Sequence, residues 1–251
     1  MNACMTERPA SKGMLNSTID FTPCLAQRSI SGTAIGYGKS DANDQNRNTR
    51  LYETVLPVVA HGGGMMTGAN RQPVSAQLRN YVMPHDQRIA EYTGQPFGEA
   101  YFDGLLRDHS AVFDSTPPTA AVLAAEQLGG LGLELLGRLQ TGHYVEGRRI
   151  ADHTVLLELA QSIGLESQAF QATMLTVDVQ AHVQDSRALL ARVGGQGFPT
   201  LALEQDGQYR VIDIGPWLGK PQAFVDWLKQ IAPAAASGQS FEACGLDGCS
   251  L

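Results

Sequence analysis

The sequence predicts an α/β fold whose sheet is interrupted by a block of helices, and three observations carry that expectation. The run Val55-Leu56-Pro57-Val58-Val59-Ala60 is apolar and rich in β-branched residues, and it ends at His61 and Gly62-Gly63-Gly64, as a buried strand running into a loop does. About a hundred residues with helical rather than strand periodicity follow it. The period then changes to two. Thr200-Leu201-Ala202-Leu203-Glu204 and Tyr209-Arg210-Val211-Ile212-Asp213-Ile214 flank a turn at Asp206-Gly207, which is a β-hairpin signature, and residues 222–231 form an amphipathic closing helix. A hairpin and helix that complete the sheet give every strand a covering layer, so the helical block reads as an insertion.

Within that block each helix has its own signals. Ser75 is a good N-cap, and Leu78, Val82 and Ile89 share a helical face, with Pro84 expected to kink or interrupt the helix. Ser115-Thr116-Pro117-Pro118 is a helix start, because proline is tolerated where the first amides lack partners, and the alanine-rich stretch to Leu128 continues it. Leu131, Leu135, Leu136 and Leu139 repeat at helical spacing. Asp152 is placed to cap a helix carrying Val155, Leu156, Leu159 and Ile163, which Gly164 ends. Residues 170–175 and 179–193 read as two more helices, the last stopped by Gly194-Gly195.

The flanks differ. Residues 1–50 hold no helical or strand period for more than a few positions, and 36–50 are almost wholly polar, so 1–50 are expected to be poorly ordered or atypical. The expected organisation is then a core made of 51–74 and 190–232, a helical insertion over 75–189, and a flexible tail over 233–251. The formal net charge of -7 repels a phosphate backbone, and no basic run offsets it, which argues against nucleic acid as a partner. No apolar stretch is long enough to span a bilayer, and no basic-then-apolar leader opens the chain, so a cytoplasmic location away from membranes is expected. The four cysteines, Cys4, Cys24, Cys244 and Cys249, lie near the ends and do not form a disulfide framework.

The most informative motif is Gly195-Gln196-Gly197-Phe198-Pro199-Thr200, a proline at a strand entry after a glycine loop. An X-Pro bond adopts the cis form at little cost, and a proline there leaves neighbouring backbone groups open to an extended peptide. Gly197-Phe198-Pro199-Thr200 before a hairpin and a final helix resembles the cis-proline loop of the thioredoxin superfamily. The helical block is similar to the inserted domain of DsbA-like proteins. Leu56-Pro57-Val58-Val59-Ala60-His61-Gly62-Gly63-Gly64-Met65-Met66 and His143-Tyr144-Val145-Glu146-Gly147-Arg148-Arg149-Ile150 look like a bacterial DsbA-family or protein-disulfide-isomerase-like subgroup, and the resemblance covers residues 51–231.

That resemblance implies a thioredoxin-like fold with an inserted all-helical domain of DsbA type. It also implies a thiol–disulfide oxidoreductase or isomerase acting on protein or small-molecule thiols and disulfides without a cofactor. It makes Gly197, Phe198, Pro199 and Thr200 the substrate loop. In the family the first strand leads to Cys-x-x-Cys at a helix N-terminus, where the dipole lowers the first thiol's pKa and the second cysteine resolves the mixed disulfide. This chain departs from the pattern: it contains no Cys-x-x-Cys, and the polar segment where the motif belongs holds only Cys24, so the resemblance assigns no catalytic nucleophile. Two explanations account for the departure. One is a catalytically silent relative with a replaced start; the other is a start translated from a shifted frame, which the abrupt junction near Leu51 favours. Two further classes stand beside the redox enzyme: a non-catalytic peptide-binding module, and a relative of the kappa-class glutathione transferases, which resemble this architecture and use serine in place of the first cysteine.

Other residues carry weaker signals. His61, next to the glycine run, is an accessory candidate for tuning a thiol, although a loop histidine is more often satisfied by backbone. Cys244 and Cys249 are a candidate auxiliary redox pair; four zinc ligands are not available there. Gly62-Gly63-Gly64 reads either as an anion cradle or as a tight strand-to-helix connection. None of the six histidines pair at helical ligand spacing, so no metal is expected. Arg148 and Arg149 beside Glu146 and Asp152 read as a solvated charge cluster, and no Gly-x-Ser-x-Gly elbow supports serine hydrolase chemistry.

Overall fold

The computed structural model describes residues 14–19, 56, 58–205 and 207–231. Its strands are β1 (Met14–Ile19), β2 (Val58–Gly62), β3 (Gln72–Pro73), β4 (Val112–Phe113), β5 (Thr200–Gln205) and β6 (Gln208–Ile212). Its α-helices are α1 (Ala76–Thr93), α2 (Thr116–Gly129), α3 (Gly132–Tyr144), α4 (His153–Ser162), α5 (Ser167–Met174), α6 (Val179–Arg192) and α7 (Pro221–Ile231). The main sheet has the order β2-β1-β5-β6, with β1 parallel to β2 and antiparallel to β5. β3 and β4 make a separate two-stranded ribbon within the helical part.

The central strand β1 corrects the expectation that 1–50 carry no lasting regular element. Asn16, Ser17 and Thr18 hide the strand in the sequence, because a strand between two others usually reads as an apolar run. Backbone pairing decides the matter: Leu15 stands opposite both Val58 and Leu203, and Ser17 opposite both Ala60 and Leu201. Without β1, facing edges of β2 and β5 would lack hydrogen-bond partners. Cys4, Cys24, Cys244, Cys249 and residues 233–251 lie outside the described residues.

The hairpin and final helix form as the sequence indicates. Leu201, Leu203 and Ile212 are buried against Phe224, Val225 and Leu228 of α7, with Val58 and Trp217 packed at the border. Rows of alternate residues point to one face of a strand, so this apolar face lies under α7 while α6 packs against β2.

The helical part has two cores. Ala121, Leu135, Leu139, Leu156, Leu159 and Phe170 join α2 to α5, and Leu78, Val82, Tyr101, Leu106 and Phe113 join α1 to the β3–β4 ribbon and the end of α3. Ser75 caps α1, its side chain accepting from the Leu78 amide. The helix does not break at Pro84, which lies exposed inside it, because Leu78, Val82 and Ile89 hold the same buried face on both sides of the proline. Ser115 and Asp152 begin their helices without side-chain capping bonds. The Thr116 amide instead donates to Asp114 at 2.8 Å, which frees the Ser115 hydroxyl for a contact described below.

Candidate functional site at one end of the sheet

Parallel pairing of β1 with β2 brings the carboxyl ends of both strands to one end of the sheet, where antiparallel β5 begins. Thr18 stands opposite His61 on one side and Thr200 on the other, so these three residues make one row across the sheet. Ile19 is in register with Gly62. The carboxyl ends of parallel strands are where α/β sheets form ligand crevices. In the sequence, Cys24 follows Ile19 by five residues.

The glycine run is a packing device. Gly62, Gly63 and Gly64 are all buried. A Cβ on Gly63 would lie 2.3 Å from the Phe198 ring, and a Cβ on Gly64, whose φ is +62°, would lie 2.8 Å from Val183. No side chain fits at either position, which supports the tight-connection reading and leaves the space over Gly63 filled by the Phe198 ring. The Arg187 guanidinium on α6 donates to the Gly63 and Gly64 carbonyls at 2.9 and 3.0 Å. Ser115 closes the other end, its hydroxyl accepting from the Met66 amide at 3.2 Å and its own amide donating to the Met66 carbonyl at 3.1 Å. The turn is therefore fastened both to α6 and to the start of α2.

The candidate substrate loop sits beside this turn. The Phe198–Pro199 peptide is cis. Thr200 is buried, and its hydroxyl donates to the Gly197 carbonyl at 2.7 Å, tying the loop to the start of β5. A Cβ on Gly195 would meet Leu190 at 2.3 Å, so this loop also lies tight against the end of α6. Gly197, Phe198, Pro199 and Thr200 thus come to the same end of the sheet as His61, with the Phe198 side chain committed to covering Gly63.

His61 has a partner that sequence spacing does not reveal. The His61 and His182 rings lie 6.3 Å apart and within 10° of parallel. Nε2 of His182 accepts the Gly62 amide at 2.9 Å. Burial, then the neighbouring His182, pushes the His61 imidazole from 6.5 down to about 4. Burial also lowers His182, against the opposing pull of the Asp185 carboxylate.

The remaining candidates lie elsewhere. Arg148 pairs with Glu158, and Arg149 with Asp108 and Ser110, while Glu146 pairs with Arg138 at 3.0 Å. The charge cluster is thus redistributed from the expected Glu146 and Asp152 partners, because α3 and α4 lie side by side and the loop after α3 folds back over Asp108. Buried His143 is packed among the Tyr101, Phe113 and Tyr144 rings. Among the described residues no three His, Cys, Asp or Glu side chains come together as a metal site. No described helix is long and apolar enough to cross a membrane.

A parallel strand pair, a crossing hairpin, a cis-proline loop at the strand ends and a helical insertion together define a DsbA-type member of the thioredoxin-like class. The family model of the DSBA-like thioredoxin domain matches residues 75–219, and the chain belongs to that family. The chain is similar to the cytosolic disulfide reductase DsbM from Pseudomonas aeruginosa, with 48% identity and a TM-score of 0.72, over 86% of this chain and 97% of that one. A structure of the Pseudomonas aeruginosa protein with GSH matches at 46% identity and a TM-score of 0.71, over 86% of this chain and 98% of that one. A putative protein disulfide isomerase from Nitrosomonas europaea shares the fold at 22% identity and a TM-score of 0.65, over 88% and 100% of the two chains. Comparison with curated proteins finds no match.

Sequence reasoning missed Thr18, His182 and Arg187. Thr18 lies in a segment without visible period, and His182 and Arg187 reach the turn across separations of 120 and more than 120 residues. No local signal links these residues in the sequence, since His182 and Arg187 belong to the helical insertion and Gly62 to the core.

Proposed function

We propose that the chain is a thiol–disulfide oxidoreductase of DsbA type that works reductively in the cytoplasm, with a low-molecular-weight thiol of the glutathione class as electron donor. The observation that carries this reading is the meeting of β1's exit, His61 and the loop 197–200 at one end of the sheet. The glutathione choice follows the similar Pseudomonas aeruginosa protein, whose structure is described with GSH.

Cys24 is the thiol that the sequence sets just beyond β1. Its thiolate attacks one sulfur of a substrate disulfide, forming a mixed disulfide and releasing the other sulfur as a thiolate. A glutathione thiolate then attacks the substrate sulfur of that mixed disulfide, restoring the Cys24 thiolate and leaving substrate joined to glutathione. A second glutathione completes the two-electron reduction, giving the substrate thiol and oxidised glutathione. In this reading an extended substrate pairs locally with the open backbone groups of Gly197, Phe198 and Pro199, at the loop that precedes Thr200 and β5.

The test is glutathione-dependent reduction of insulin and of a small dialkyl disulfide, on full-length protein whose intact mass confirms residues 1–50. Turnover above the free-thiol background is expected, together with its loss in Cys24→Ser and its retention when Cys244 and Cys249 are both serine. Wild-type turnover at background sinks the redox reading. The absence of any Cys-x-x-Cys pair favours the second reading in that case, a peptide-binding module that keeps the loop at 197–200.

A further inference from the structure

The two imidazoles beside the site form a pair that the reaction scheme above does not use. His182 lies on α6, 120 residues from the amide it accepts, and its Nε2 binds the Gly62 N–H at 2.9 Å. An imidazole nitrogen that accepts a hydrogen bond carries no proton, so the His182 proton sits on Nδ1 and the ring is uncharged. Its face lies parallel to His61, the residue of β2 in register with Thr18 and, through it, with Thr200. A protonated His182 cannot accept from Gly62, and two imidazolium rings 6.3 Å apart repel.

We propose that His182 is a positioning residue that locks the carboxyl end of β2 and, through it, the His61 ring that lies parallel to its own at the candidate site. This role rests on the oxidoreductase reading for its chemical purpose, but not for the pairing itself. Two uncharged imidazoles place no fixed positive charge at the strand ends at neutral pH, so the end of β2 keeps one geometry there. Acidification that charges His182 removes the Gly62 bond and loosens the end of β2, while Arg187 and Ser115 still hold the rest of the turn.

The groups that bear on the pair are few among the described residues. From α6 itself, the Asp185 carboxylate favours a charged His182, and Arg187 is occupied by the Gly63 and Gly64 carbonyls. From β2 comes His61. α2 contributes the uncharged Thr119, whose methyl borders Gly62, and the 197–200 loop contributes the uncharged Phe198 against Gly63. Burial of both rings outweighs Asp185, which agrees with the acceptor role of Nε2.

The experiment uses ¹⁵N-labelled full-length protein and two variants, His182→Gln, whose side-chain oxygen replaces the Nε2 acceptor, and His182→Leu, which has none. In the wild type, long-range ¹H–¹⁵N correlation is expected to show His182 protonated on Nδ1 only at neutral pH. His182→Leu should speed Gly62 amide exchange at least tenfold, raise the titration midpoint of His61, and displace the acid limb of the pH profile of disulfide turnover. His182→Gln should restore Gly62 protection. Wild-type exchange at Gly62 and unchanged His61 titration in His182→Leu overturn the proposal, as does an equal loss in both variants with nothing changed but the melting temperature. A wild-type chain without turnover defeats the oxidoreductase reading alone, since exchange and titration still decide the pairing.

Discussion

At the scale of single residues, the site is built from groups that are neutral or tightly packed, and both properties can be measured. His61 has its folded-state value lowered from 6.5 to about 4, so the unfolded chain binds more protons between those limits. Stability contributed by the neutral ring is fully present above about pH 6.5 and is lost as pH falls toward 4. Asp108 is held below its usual range by hydrogen bonds from Ser110 and Arg149, and Glu166 by the Ala169 and Gln168 amides, so their losses begin lower. Urea midpoints measured from pH 7 to 4 should therefore fall, and His61→Gln should flatten that fall; an unchanged slope in the variant would rule out His61 as its source. Packing makes the second residue-scale case. Gly63→Ala drives a methyl into the Phe198 ring and should cost about 1–3 kcal/mol, the usual range for overpacking. Phe198→Ala removes the obstacle, so the double variant should lose clearly less than the sum of the singles. Additive losses would mean that the ring does not stand over Gly63 in solution.

At the scale of elements, helices were the most legible part of the sequence, because their periodicity spans several turns and their stops are glycines. Gly94, Gly130, Gly164 and Gly194 all adopt positive φ just past or near a helix end, where a residue without Cβ is favoured. Pro84 shows the limit of such signals. A proline inside a helix lacks the N–H that would bond four residues back, yet the buried positions Leu78, Val82 and Ile89 on either side keep α1 in one piece. Pro84→Ala restores that bond at an exposed position, worth about 3 kcal/mol against proline in a helix interior. The freer unfolded chain offsets up to about 1 kcal/mol of this, leaving an expected gain of about 2 kcal/mol in denaturant unfolding. A variant no more stable than the wild type would show that α1 already bends to accommodate the ring. The candidate loop was legible as well: Gly197-Phe198-Pro199-Thr200 stands where a strand begins, whichever fold surrounds it.

At the scale of the whole molecule, the sheet depends on a strand that composition disguises. β1 pairs with β2 through residues 15–19 and with β5 through residues 14–18, so a chain starting at Leu51 would expose two facing strand edges at once. Such a truncation should elute as aggregate in size-exclusion chromatography, and a monomeric, cooperatively unfolding product would show that β1 is dispensable. The hairpin, the helical insertion, the closing helix and the proline loop were each determined by the sequence itself, because their signals are local: a period, a cap, a turn or a proline within a few residues. Three features were decided only by tertiary structure. Met14–Ile19 became the central strand because two neighbours supply the backbone partners that its polar middle gives no hint of. Glycines 63 and 64 proved necessary because Phe198 and Val183, more than a hundred residues away, occupy the space their side chains would need. His61 and His182 became a pair because α6 folds back across β2, and the burial that neutralises both rings exists only once that packing has formed.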